Sequence, residues 1–174
     1  APDVKILKNK APTIVFKNVS FSYNKKSNVL NNINFFIDPG SKVALVGQSG
    51  AGKSSIINLI SRFYDPVSGE IFINKQNIKD VNINSLRNNI ALVSQDTIIY
   101  NKSFKENIKF GNLKAPDKKI KEAAKNAGIH DFISNSLNGY ETIVGEGGNN
   151  LSGGQKQRIS IARAILKDAP ILLL

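Results

Sequence analysis

Hydrophobic and polar positions alternate where Ile33, Phe35 and Ile37 are interleaved with Asn32, Asn34 and Asp38. That period of two predicts a strand with one wet face. A first strand is expected upstream over residues 13–21, closing on Tyr23 and a polar loop at 24–28. Asp38-Pro39-Gly40 has the composition of a turn. The continuous apolar run Val43-Ala44-Leu45-Val46 predicts a buried strand, and Ile56, Ile57, Leu59, Ile60 and Phe63 then recur at helical spacing. Asp65-Pro66-Val67-Ser68-Gly69 turns the chain into a short strand holding Ile71 and Ile73, and a further strand over 90–93 leads to Ser94-Gln95-Asp96. Beyond it, residues 104–110, 118–127 and 130–137 read as short helices separated by Gly111, Gly128 and Gly139. The last helix opens at Leu151-Ser152-Gly153-Gly154-Gln155, where Ser152 and Gln155 have capping-box spacing. Ile159, Ala162 and Leu166 form its apolar stripe, with Ile165 beside it. Pro170 stops it, and 171–174 resumes as an apolar strand.

Composition narrows the class without naming a chemistry. Hydrophobic residues make up 41% of 174, which fits a globular chain with a sizeable core. No apolar run is long enough to cross a bilayer and no signal peptide opens the chain. Without cysteine there are no disulfides and no thiolate metal sites. A net charge of +11 raises the question of nucleic acid. The lysines, however, are scattered from Lys5 to Lys167 and no aromatic-rich groove accompanies them, so solvated surface is the expectation, with some lysines facing anionic lipid or ATP. The chain has no methionine and stops inside Ile171-Leu172-Leu173-Leu174, which suggests an excised piece.

Candidate chemistry concentrates in Gly47-Gln48-Ser49-Gly50-Ala51-Gly52-Lys53-Ser54. Strand, glycine-rich turn and helix form the context in which G-x-x-x-x-G-K-S is a phosphate-binding loop. The glycines let successive N–H groups converge on one concave nest, where a Cβ at Gly50 or Gly52 would crowd a phosphate or forbid the dihedrals. The helix N-terminus adds partial positive charge and Lys53 a full one. Ser54 offers a hydroxyl to a magnesium ion bridging terminal phosphates, and Ser55 follows in the same turn. The alternative is a glycine-rich turn that binds nothing. Ser152, Gly153 and Gly154 at a second helix N-terminus make a second anion edge; the alternative there is a well-capped helix.

With both motifs in one chain, and Lys156-Gln157-Arg158-Ile159-Ser160-Ile161-Ala162-Arg163-Ala164-Ile165-Leu166 continuing the second, the sequence resembles the nucleotide-binding domain of ATP-binding-cassette (ABC) proteins from about Ile14 to Leu174. The resemblance implies an α/β fold: a P-loop NTPase (RecA-like) core sheet with the loop at the carboxyl end of a parallel strand, an antiparallel N-terminal β subdomain and an inserted α-helical subdomain. It implies residues 1–12 as a linker from an upstream membrane domain, 13–95 with 151–174 as the ATP-binding core, and 96–150 as the helical subdomain. ATP and Mg²⁺ are the implied ligands. Gly47, Gln48, Ser49, Gly50, Ala51, Gly52, Lys53, Ser54 and Ser55 would hold the phosphates, and Tyr23 would stack on adenine. Gln95 would reach the magnesium ion and the attacking water, so that Lys53 and Gln95 serve catalysis, and Ser54 and Gln95 the metal.

In this family two domains pair head to tail, so Ser152, Gly153, Gly154 and Gln155 would cover ATP bound to a second domain. Thr142-Ile143-Val144-Gly145-Glu146-Gly147-Gly148 resembles the stretch before the signature in exporters, where a glutamate contacts the membrane domain. Ile143 and Gly147 depart from the charged residues common there; the alternative is a flexible glycine loop. His130, the only histidine, does not match the family's switch histidine and reads as a surface or packing residue. The family's magnesium aspartate and water-polarising glutamate follow the strand matching 171–174 and are not among these 174 residues. The chain alone is therefore expected to hydrolyse ATP negligibly, and its incomplete sheet to leave an apolar edge near Leu174.

Asn107-Ile108 with Gly111, and Gly145-Glu146, favour an exporter's energy-coupling domain on the cytoplasmic face of a membrane, with no nucleic acid as partner. An importer's ATPase subunit, or a soluble ABC-type ATPase in translation or DNA maintenance, stays open. Only about a hundred residues without sustained heptads separate Ser54 from Ser152, which argues against the coiled-coil DNA-maintenance members.

Overall fold

The computed structural model describes residues 11–24, 27–94 and 96–174. The chain forms two compact units, one ending at Ile90 and the other running from Ala91 to Leu174.

The first unit is built on an antiparallel sheet of β1 (Ile14–Phe21), β2 (Leu30–Ile37), β3 (Ser68–Ile73) and β4 (Gln76–Asn77), in the order β2-β1-β3-β4. Phe16 pairs with Phe35 on one side and Ile71 on the other, and the rings of Phe16 and Phe35 stack at 4.3 Å. The alternation expected in β2 is present: Ile33, Phe35 and Ile37 are half-buried while Asn32, Asn34 and Asp38 are exposed. Phe16, Val19, Phe21, Ile71 and Ile73 form the dry face, each worth roughly 1.5–3 kcal/mol of apolar burial. Helix α1 (Lys53–Ile60) buries Leu59 and Ile60, and its periodicity stops short of Phe63, which is exposed.

Helix α2 (Ile83–Asn88) has no counterpart in the hydrophobic pattern, because it buries a single apolar side chain, Leu86. It starts because the Asn82 side chain accepts from the N–H groups of Asn84 and Ser85 at 3.0 and 3.2 Å. It is held by Arg87, which donates to the carbonyls of Ser61 and Arg62 at 3.3 and 3.0 Å.

One expectation fails. Residues 43–46 form no strand and are exposed, Val46 to 89%. The four strands of this unit pair only with one another and antiparallel, so 43–46 has no ladder neighbour among the described residues. An apolar run becomes a buried strand only when neighbours satisfy its backbone and cover its faces. The parallel strand expected before the phosphate loop is thus an exposed lead-in without regular secondary structure.

The second unit takes in β5 (Ile90–Leu92) from Ala91 onward; this strand lies beside β6 (Ile171–Leu173), and the Val93 N–H donates to the Leu173 carbonyl at 2.9 Å. Four helices follow β5: α3 (Phe104–Lys109), α4 (Asp117–Asn126), α5 (His130–Ser134) and α6 (Gly153–Lys167). Ile159, Ala162 and Leu166 of α6 are buried with Phe104, Ile108, Ile120 and Ile133, so the expected stripe is the core face. Ser103 with Glu106, and Ser152 with Gln155, close full capping boxes at the starts of α3 and α6. Gly111 brings the chain after α3 so close to α6 that a Cβ there would overlap the Arg163 carbonyl.

Candidate nucleotide site

In the first unit the loop from Gly47 to Ala51 is exposed and curls ahead of α1. Gly50 (φ 83°) and Gly52 (φ 85°) sit in the left-handed region that a side chain disfavours. Gly52 is also packed on Leu30 and Val29, leaving no room for a Cβ. The Ala51 N–H donates to the Gln48 carbonyl at 3.2 Å, tightening the turn. Gly52 caps α1 without a side-chain hydrogen bond, and no acid occupies the first turn. The first-turn N–H groups and their dipole are therefore uncontested by a capping side chain or a carboxylate. Lys53 Nζ folds back onto its own loop, donating to the carbonyls of Gly47 and Gln48 at 2.8 and 2.7 Å. Gln48, Ser49 and Ser54 present side chains to solvent around this nest.

Ser55 is different: it is buried, and its hydroxyl meets Tyr23 Oη at 3.0 Å. Tyr23 stands edge-on to Phe21 and Tyr64, with centroids 4.7 and 5.1 Å away, yet half of its surface stays open. Its hydroxyl also receives a bond from Asn58 Nδ2 at 3.4 Å. Asn58 is a site-adjacent residue the sequence reading passed over; the signal was its i,i+3 spacing from Ser55, which puts both on one helix face. The structure thus brings Tyr23 to the helix that the phosphate loop opens.

In the second unit the Ser152 N–H donates to Gln155 Oε1 at 2.8 Å and the Gln155 N–H to Ser152 Oγ at 3.3 Å. Gln155 is consequently a cap that shapes the turn. Ser152, Gly153 and Gly154 are exposed, and nothing lies within 4 Å of where a Cβ on either glycine would sit. Glu146 is exposed at the start of a 3₁₀ turn (Glu146–Gly148) in which Gly147 and Gly148 take φ of 63° and 66°. His130 Nδ1 hydrogen-bonds Tyr140 Oη at 2.8 Å, a packing contact. Gln95, expected to reach the metal and the water, lies outside the described residues. Among the described residues no cluster of three or more His, Cys, Asp or Glu side chains could hold a metal ion, and no helix is long and apolar enough to cross a membrane.

Known proteins resemble this chain in sequence and fold. The ABC transporter family profile matches residues 30–174. "ABC transporter B family member 2" of Dictyostelium discoideum is 53% identical over 163 residues, covering 92% of this chain and 12% of that protein. A "Beta-(1-->2)glucan export ATP-binding/permease protein" of Agrobacterium fabrum is 48% identical over 172 residues, covering 99% of this chain and 29% of that protein. The solved structure of a bacterial Atm1-family ABC exporter with ATP bound superposes with a TM-score of 0.94 at 44% identity, covering 99% of this chain and 30% of that one. The chain spans less than a third of the length of each of these three proteins. The fold is the α/β P-loop NTPase fold with an antiparallel N-terminal sheet, and the chain belongs to the ABC transporter family.

Proposed function

We propose that this chain is the ATP-binding, energy-coupling domain of an ABC exporter. The observation that supports it most directly is the parked lysine. Lys53 bonds two neutral carbonyls of a loop whose glycines already hold left-handed dihedrals. A triphosphate would offer that ammonium charged oxygens in their place, which is the stronger bond. The backbone of Gly47, Gln48, Ser49, Gly50, Ala51 and Gly52 would enclose the phosphates, and Tyr23 would take the adenine on its open ring.

Magnesium fits the donor set, because that ion is held by one or two side chains together with phosphates and waters rather than by an acidic cage. Ser54, exposed in the first turn, and Gln95 are the residues that would hold it. When bound, the ion neutralises charge on the terminal phosphates. Gln95 would orient the attacking water, and Ser152, Gly153 and Gly154, shaped by Gln155, would close over ATP held by a second such domain. Closure and reopening would then move membrane helices, touched in part through Glu146, at the cytoplasmic face of a membrane.

Residues 1–12, 13–95 with 151–174, and 96–150 keep their proposed roles as linker, core and helical subdomain. The printed names of the glucan export protein and the Atm1-family exporter favour export over import, and no nucleic acid is needed. The test is calorimetric titration of the chain with ATP and magnesium. Binding is expected, and Lys53→Ala should weaken it at least about tenfold while leaving the thermal midpoint unchanged. A folded chain without affinity for MgATP would overturn the reading.

A further inference from the structure

Lysines that lie scattered along the sequence are gathered by the fold on one helix of the second unit. Over residues 102–126 lysine outnumbers acid eight to three, and no arginine is present. Lys118, Lys121 and Lys125 of α4 stand at i, i+3 and i+7, which lines them along one face over about 10 Å. All three are exposed. The apolar side of the same helix, Ile120, Ala123 and Ala124, is buried in the core.

Acids do not neutralise this row. Those of α3, α4 and the turn over 139–141 are Glu106, Asp117, Glu122 and Glu141, and each is engaged by a lysine outside it. Glu106 pairs with Lys102 at 3.1 Å and Glu122 with Lys119 at 3.7 Å. Lys105 holds both Asp117 and Glu141, at 2.8 and 3.3 Å. Among the described residues Lys118, Lys121 and Lys125 enter no ion pair. Ammonium groups left together in this way repel one another, so the row favours a ligand that brings negative charge.

Beside the row lies a cavity of about 200 Å³, lined by Lys105, Asp117, Ile120, Lys121, Tyr140 and Glu141. The Tyr140 hydroxyl is tied to His130 Nδ1 at 2.8 Å, and its ring centroid lies 5.9 Å from Lys121 Nζ. Lys121 therefore belongs both to the row and to the cavity wall. An apolar side chain of a few carbons would meet Ile120, the Tyr140 ring and the lysine stems there.

We propose that the Lys118, Lys121 and Lys125 face of α4 and the cavity beside it form a docking site for an acidic peptide segment that carries one apolar side chain. The site stands apart from the nucleotide reading, which uses none of these residues. A free phosphate needs donors converging on one point, whereas these are strung along a helix. A helix lying on a membrane inserts its apolar side, and that of α4 is in the core. Single-stranded nucleic acid stacks its bases on open aromatic rings, and the ring that lines this cavity, Tyr140, is half-buried. An extended peptide places alternate side chains about 7 Å apart on one side. Successive lysines of the row rise by about 4.5–6 Å, a spacing their long side chains can adjust to meet such carboxylates.

The experiment titrates the chain into a labelled peptide of about ten residues, glutamate alternating with glycine around one central leucine, and reads fluorescence anisotropy. Binding is expected, and it should weaken as sodium chloride rises. Lys118→Glu/Lys121→Glu/Lys125→Glu should lose at least about tenfold in affinity. Lys42→Glu/Lys75→Glu/Lys79→Glu, an equal change of net charge in the first unit, should stay within about twofold of the parent. Equal losses in the two triple variants, affinity indifferent to salt, or no binding by the parent would overturn the proposal. Where circular dichroism shows that charge reversal unfolds the chain, Lys118→Gln/Lys121→Gln/Lys125→Gln takes its place, with a loss of at least about threefold expected and an unchanged affinity counting equally against the site. Replacing the peptide's leucine by alanine should weaken binding at least about threefold; undiminished affinity would mean that the cavity holds no anchor and would sink the docking site as stated. Tighter binding of single-stranded RNA or of phosphatidylserine vesicles through the same three lysines would overturn the choice of partner.

Discussion

Tyr23 serves the site through two separable parts of one side chain. Its hydroxyl supplies the partner of the buried Ser55 and receives Asn58, while its ring keeps an open face. Tyr23→Phe therefore leaves Ser55 Oγ without its present partner, an effect of about 1–3 kcal/mol on stability, but keeps the ring. Tyr23→Ala removes both. Stacking of a base on an aromatic side chain is worth about 1–3 kcal/mol, so the alanine variant should bind ATP roughly 5- to 150-fold more weakly. The phenylalanine variant should melt earlier yet bind within a few-fold of the parent. Fluorescent-nucleotide titration alongside thermal unfolding separates the two effects, and an alanine variant of undiminished affinity would remove adenine from this ring.

At the scale of elements, the caps and close approaches decide how the helical part of the second unit responds to its conditions. Glu106 closes the capping box of α3, and its carboxylate is held below the ordinary range, first by the Ser103 N–H and then by the Lys102 ammonium. A folded pKa below the unfolded one gives stability that is present above the unfolded value and disappears as pH falls through the folded value. Asp117, lowered chiefly by its bond to Lys105, acts in the same direction over the same acidic window. The thermal midpoint should thus drop as pH falls through and below the ordinary glutamate value of 4.5, and Glu106→Ala should flatten that decline; an acid limb of unchanged slope would count against the cap. Gly111→Ala should destabilise by about 1–3 kcal/mol in denaturant titration, because the added methyl meets backbone and cannot be accommodated by a rotamer.

These same elements show what the sequence could and could not tell. Ser152 and Gln155, and the stripe of Ile159, Ala162 and Leu166, were legible because cap and period are local signals. Helix α2 was not, since Asn82 and Arg87 act through hydrogen bonds rather than periodicity. Residues 43–46 misled because strand formation depends on neighbours far away in sequence. Arg163 donates to Asn107 across 56 positions, a bond that announces itself nowhere in the pattern.

For the whole molecule the governing contest is between charge and exposed apolar surface. The chain carries +11, which repels other copies. It also exposes Val43, Val46, Leu172 and Leu174, each by more than half, on backbone that includes the unpaired 43–46 lead-in. Unpaired apolar backbone of this kind is a template for association. Repulsion reaches about 30 Å at 0.01 M salt and about 3 Å at 1 M, whereas apolar contact is not screened at all. Self-association should therefore rise with sodium chloride, seen as light scattering that grows between those limits, and Val46→Thr with Leu174→Thr should delay the rise. An electrostatic complex with a polyanion would do the opposite, loosening as salt increases. Scattering that falls with salt, together with absorbance at 260 nm in the purified chain without added nucleotide, would mean that the scattered lysines do gather a nucleic acid and that solvated surface is the wrong account of them.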